Sequence, residues 1–93
     1  MLKISDLVIS QKGRDQKRIF MVIEVVDENY VLVSDGKHRM LNKPKLKKIK
    51  HLQPKPEIVE TVAVKLNEDK KVFDSEVRAS LENRGYNTTV KEG

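Results

Sequence analysis

The chain has 93 residues, 19 Lys and Arg against 14 Asp and Glu, a formal net charge of +5, and no cysteine or tryptophan. That length holds one domain, or one small domain with an appendage, and leaves no room for a deep cleft between lobes. The absence of cysteine excludes a disulfide framework, a zinc ribbon and thiol chemistry. Leu, Ile, Val and Phe supply 28 residues, about 30% of the chain and well above the roughly 20% below which chains stay disordered. A folded domain is expected. No apolar run approaches the roughly 18 residues of a membrane span. The first six residues lack the apolar stretch of a signal peptide, so a cytoplasmic location is the expectation.

The charge is unevenly placed. Residues 1–53 carry 12 basic and 6 acidic side chains, whereas residues 54–93 carry 7 and 8. Within the first half the cations fall in two clusters, Lys12, Arg14, Lys17 and Arg18, then Lys43, Lys45, Lys47, Lys48 and Lys50. No acid lies between Lys37 and Lys55. Such density attracts polyanions, because neutralising phosphates releases condensed counterions. A solvated, solubilising lysine face is the alternative.

In chain order, Leu7-Val-Ile-Ser10 reads as a short strand closing into a turn at Gln11-Lys-Gly13. Residues 18–26 form a long strand whose odd positions, Ile19, Met21, Ile23 and Val25, are uniformly apolar and are assigned to the core. Its even positions, Phe20, Val22 and Val26, are too apolar to face water, so another element should cover them. Asp27-Glu-Asn29 is a reversal and Tyr30-Val-Leu-Val-Ser34 the return strand. Asp35-Gly36 suits a type I′ hairpin turn, which makes residues 37–41 the next strand. Pro44 marks an edge or loop, and the lysine-rich segment ends in a short apolar piece at residues 49–52. Short strands with tight turns in about 50 residues describe a small, bent antiparallel barrel.

Beyond Pro54-Lys55-Pro56 the period changes. Ile58, Val59, Val62 and Leu66 share one helical face, in a segment opened by Pro56-Glu57. Residues 67–71 are a polar break. Asp74 or Ser75 then caps a second helix carrying Val77 and Leu81, with Phe73 before the cap and Gly85 after its end. Residues 86–93 read as a frayed tail. Two helices this short must dock on something, and the even face of the long strand is the expected place. The division is therefore a barrel over residues 1–53 and a helical appendage over 54–93.

Little of this pattern suits catalysis. His38 and His51 have no carboxylate or thiol at metal-ligand spacing. The serines have no nucleophile elbow or partnered base, and Gly13 alone is no phosphate loop. No enzyme activity, metal or cofactor is expected.

Leu7-Val-Ile-Ser-Gln-Lys-Gly-Arg-Asp15, followed by Ile23-Glu-Val-Val-Asp-Glu-Asn-Tyr-Val-Leu-Val33, resembles a KOW domain. The order of strands, the Gly-Arg-acid turn, the basic run and Lys50-His-Leu-Gln-Pro54 are similar to the KOW-bearing large-subunit ribosomal protein family of archaea and eukaryotes. Short bacterial KOW proteins with a helical tail look alike too. The resemblance covers about residues 4–54 and departs from the pattern at Lys17, where KOW motifs usually carry a second glycine, and at Gln53, where relatives often carry an acid. It implies an SH3-like antiparallel β-barrel, here followed by two short helices, with RNA contact and ribosome association. The candidate RNA-binding residues are Lys12, Gly13, Arg14, Lys17, Arg18, Lys37, Arg39, Lys43, Lys45, Lys47, Lys48, Lys50 and His51. Arginines can grip phosphate bidentately and lysines act as point charges. The basic segments have no interleaved aromatics, so recognition by backbone and shape is expected rather than base reading. The alternative function is a protein–protein adaptor working through the barrel or residues 57–84.

Overall fold

The structure is a computed structural model and describes residues 2–68 and 70–87. Five antiparallel strands form one sheet in the order β4-β3-β2-β1-β5. They are β1 (Asp6–Ser10), β2 (Ile19–Val25), β3 (Tyr30–Ser34), β4 (Lys45–Lys48) and β5 (Leu52–Ile58). A 3-10 turn, Ile49–His51, carries the chain from β4 to β5, and helices α1 (Glu60–Asn67) and α2 (Asp74–Asn83) follow. The sheet curls into a half-barrel of the SH3-like type, with the helices as its appendage. The expected fold class is the observed one. β5 runs through Pro54-Lys55-Pro56 and pairs with β1; as an edge strand it tolerates two prolines of equal parity. Lysines on β4 guard the other edge.

Each face of β1 and β2 builds its own core. Inside the curl, Val8, Phe20, Val22, Val31, Val33, Leu2 and Leu52 pack together. On the outer face Leu7, Ile19 and Met21 pack against Val59 and Val62 near and on α1 and Val77 and Leu81 on α2. The helices therefore dock on the odd face of the long strand, and the even face lines the barrel, the reverse of the expected assignment. Alternation separates two faces but does not say which is concave. The register shift between Val22 and Glu24 adds to this. Across that bulge parity switches, so Val25 pairs with Val31 and is 41% exposed rather than sharing a core with Met21.

Three further expectations are corrected. Residues 37–41 form no strand. Their backbone donors are taken by carboxylates: Lys37 and Arg39 N–H donate to Asp35 Oδ1 at 2.9 and 2.8 Å, and Leu41 N–H donates to Asp74 Oδ1 at 2.6 Å. With those donors spent, that side of the segment has none left to offer a neighbouring strand. The turn is likewise not type I′, since Asp35 does not take the positive φ that Gly36 does (74°). The first helix starts at Glu60, because the chain up to Ile58 stays paired with β1.

Phe73, not Asp74 or Ser75, is the N-cap of α2. Glu76 folds back to accept from the Phe73 N–H at 3.2 Å, half of a capping box. The helix ends as a Schellman turn, with Gly85 N–H donating to the Glu82 carbonyl and Tyr86 N–H to the Leu81 carbonyl, both at 2.9 Å. Tyr86 packs on the outer core. Asn87 pairs with the start of β2, accepting from Ile19 N–H at 2.9 Å and donating to its carbonyl at 2.7 Å. The tail is thus docked to Asn87, and residues 88–93 of the expected frayed segment lie outside the described residues.

Gly36 fixes how closely α2 approaches the barrel. A Cβ there would lie 2.3 Å from the Asp74 carbonyl oxygen and 2.7 Å from Arg78 N, whereas one on Gly85 would meet nothing within 4 Å. Both glycines hold positive φ. Gly85→Ala is expected to cost about 1–2 kcal/mol, the left-handed backbone penalty alone. Gly36→Ala adds a clash worth about 1–3 kcal/mol more. Urea unfolding of both variants checks the difference; equal losses would refute the close approach.

Candidate nucleic-acid interface

The loop between β1 and β2 is closed at its base by Lys17 N–H donating to the Ser10 carbonyl at 2.7 Å and Ser10 N–H to the Arg18 carbonyl at 3.0 Å. Inside it, Gln16 N–H donates to Gly13 and Arg18 N–H to Asp15. Lys17 holds φ at 72°. A glycine would relax there, so keeping a lysine costs about 1–2 kcal/mol. The loop thus holds a lysine in the left-handed geometry that glycine adopts most easily. Lys12, Arg14 and Lys17 project from it, exposed.

Three of the candidate cations face inward and assemble the barrel end. Arg18 Nε donates to Asp35 Oδ2 at 2.5 Å, and the Asp35 side chain is wholly buried. Burial opposes ionisation of Asp35, but N–H donors from Arg39 and Lys37 and the Arg18 guanidinium outweigh it and hold its carboxyl below the usual range. Asp15 lies 3.4 Å from both Arg39 Nη2 and Lys47 Nζ. Lys47 also reaches Ser10 Oγ at 3.3 Å and stands 5.8 Å from the centre of the Phe20 ring. Register explains its direction: Lys47 is opposite Val31, and Lys45 opposite Val33, both valines of the inner core. Strand parity together with the lone acid of the first cluster was the sequence signal for this pairing.

Of the remaining cations, Lys45 shares the face of Lys47 on β4; the others stay outward. Lys12, Arg14, Lys17, Lys37, Lys43, Lys48 and Lys50 are exposed and Lys45 is half-buried; none of these has a carboxylate partner among the described residues. The Asp15 contacts draw the 11–18 loop, Arg39 and β4 together. His51 extends the same rim: its carbonyl accepts from Gln11 N–H at 2.9 Å, and partial burial together with the Lys12, Lys50, Lys48 and Lys47 charges holds it below its ordinary value. Lys12 of the first basic cluster and Lys47, Lys48 and Lys50 of the second thus act on one imidazole, and the Gln11–His51 backbone bond joins their segments. Lys43, Lys48 and Lys50 of the lysine segment are exposed, and no apolar residue between Leu41 and Val59 joins the outer core. Gly13 lies exposed in the same loop.

Among the described residues no group of His, Cys, Asp and Glu could hold a metal ion, and no helix is long and apolar enough to cross a membrane. The chemistry offered is multivalent positive charge on a preformed rim.

The depressed His51 sets a pH test. The unfolded chain takes up its proton near pH 6.5, before the folded one does. Stability attributable to His51 is therefore present above that pH and declines as pH falls through it. NMR titration should place its midpoint below 6.5. Added polyphosphate should raise that midpoint by screening the four lysines. An unmoved midpoint would contradict a shared anion-binding rim.

No protein-family model matches the chain. Curated relatives do. It is 26% identical over 91 residues to large ribosomal subunit protein eL14 of Hyperthermus butylicus, covering 98% of this chain and 86% of that protein. With the eL14 of Staphylothermus marinus the identity is 23%, and with that of Saccharolobus islandicus 26%, each covering 98% of this chain and 88% of the relative. The similarity extends beyond the KOW-like segment into the helices. The chain is thus related, along nearly its whole length, to the eL14 large ribosomal subunit proteins, a KOW ribosomal protein-like relationship.

Proposed function

We propose that this chain is a non-catalytic RNA-binding module of the large ribosomal subunit in the cytoplasm, which lays its basic rim against the backbone of folded ribosomal RNA. The observation that carries the reading is the joining of the two basic segments at one end of the half-barrel, where Asp15 bridges Arg39 and Lys47 and Gln11 N–H reaches the His51 carbonyl, in a chain whose relatives are named as large ribosomal subunit proteins. Residues 1–53 bear the RNA-facing charge, and α1 and α2 of the C-terminal appendage cover the outer face of β1 and β2. Lys12, Gly13, Arg14, Lys17, Lys37, Lys43, Lys45, Lys48, Lys50 and His51 meet phosphate; Arg18, Arg39 and Lys47 hold the surface in shape. Most contacts are to backbone, which positions the protein without reading sequence.

A protein partner for the appendage is supported by Val64 and Phe73, which are 54% and 53% exposed. It is an additional contact of the same particle rather than a rival function.

If about five phosphates are engaged, log K for a structured RNA falls with log salt at a slope near −4. Lys12→Glu, Lys48→Glu and Lys50→Glu combined should reduce that slope to about −2 and abolish binding at physiological salt. Fold stability should change by no more than about 0.5 kcal/mol per site, as these are exposed positions. A flat salt response in the parent protein, or unaltered affinity in the variant, would falsify the assignment.

A further inference from the structure

A groove of about 440 Å³ opens beside the rim, lined by Glu28, Asn29, Tyr30, Lys48, Ile49 and Lys50. Its floor is fixed by backbone bonds. Ile49 N–H donates to the Asn29 carbonyl at 2.9 Å, and Tyr30 lies directly opposite Lys48 in the β3–β4 ladder. Asp27 is occupied by the turn, accepting from Asn29 and Tyr30 N–H at 2.8 and 2.9 Å. Glu28 is exposed, and its carboxylate has no partner among the described residues. The site therefore combines one aromatic ring, two unpaired ammonium groups and one unpaired carboxylate.

That combination selects among ligands. Two lysines call for phosphate, and a single aromatic ring suits stacking of one base. A proline-rich peptide needs a groove lined by several aromatics, which Tyr30 alone does not provide. A carboxylate beside the lysines would repel a second phosphate but accepts hydrogen bonds from a base edge. Guanine is the base whose Watson–Crick edge presents two adjacent donors, N1–H and N2–H, to match the two oxygens. Bases available in this way are those splayed from loops and bulges. Lys48 and Lys50 belong both to this groove and to the surroundings of His51, so a strand following the rim reaches the groove without leaving positive charge.

We infer that the Tyr30 groove captures one unpaired guanine of the bound RNA, stacked on Tyr30 and held at its edge by Glu28, with flanking phosphates on Lys48 and Lys50. The inference rests on the RNA-binding reading above and adds a base preference to it, contrary to the pure backbone recognition that the sequence implies.

The test compares RNA hairpins that are identical except for one bulged nucleotide, titrated by fluorescence anisotropy at fixed salt. The parent protein should bind the bulged-guanine hairpin about tenfold tighter than the fully paired one or one with a bulged uracil, in keeping with the worth of one stacked base. Glu28→Gln, an exposed change that spares the fold, should remove the preference for guanine. Tyr30→Ala should remove the bulge preference, and Tyr30→Phe, which keeps the ring, should retain it. In both Glu28→Gln and Tyr30→Ala the affinity for the paired hairpin should stand. Equal binding of bulged and paired hairpins overturns the groove assignment while leaving the RNA reading intact. Failure to bind any hairpin overturns the RNA reading itself.

Discussion

A carboxylate with no exposed surface, that of Asp35, holds together the end of the barrel on which the cations sit. It accepts from the Arg18 guanidinium and from the backbone N–H groups of Lys37 and Arg39. One side chain thereby joins the start of β2 to the loop after β3. A buried anion is tolerable only when its lone pairs are filled, and here they are. Asp15 repeats the device at the surface, bridging Arg39 and Lys47. Together the two acids convert three of the candidate cations into scaffold, while Lys12, Arg14, Lys17, Lys37, Lys43, Lys48 and Lys50 are left facing solvent.

The same end is braced from outside. Asp74, the first residue of α2, accepts from Leu41 N–H, and Arg78 Nη1 donates to the Gly36 carbonyl at 3.2 Å. Lys65 on α1 donates to Glu76 on α2. The appendage therefore does more than cover apolar surface: it orders the loop that carries Lys37 and Lys43. Function and packing are coupled through backbone groups that a sheet would otherwise have consumed.

The first three strands, the two-faced character of β2, the existence of both helices and the KOW-like turn were legible from residue pattern, because alternation and helical spacing are local signals; β4 and β5 were not. The concave face was not, since Phe20 and Met21 are equally apolar and only curvature distinguishes their surroundings. The loop at 37–41 was not legible either, because Asp35-Gly36 is an ordinary hairpin signal until a carboxylate captures the next donors. For the candidate site, the clustering of charge was readable, but the inward turn of Lys47 depended on β4 register. Lys17 was readable as a departure and is now understood as a cation held where glycine would sit more easily.

The central claim is that RNA meets this protein at the rim formed by residues 12–18 and 37–51, without engaging the helices directly. Amide chemical-shift mapping of the labelled protein, titrated with a structured ribosomal RNA fragment, tests it most directly. The account predicts that the largest shifts fall on Lys12, Arg14, Lys17, Lys48, Lys50 and His51, while α1 and α2 stay near their free positions. Shifts concentrated on α1 and α2, with the rim unmoved, would contradict it.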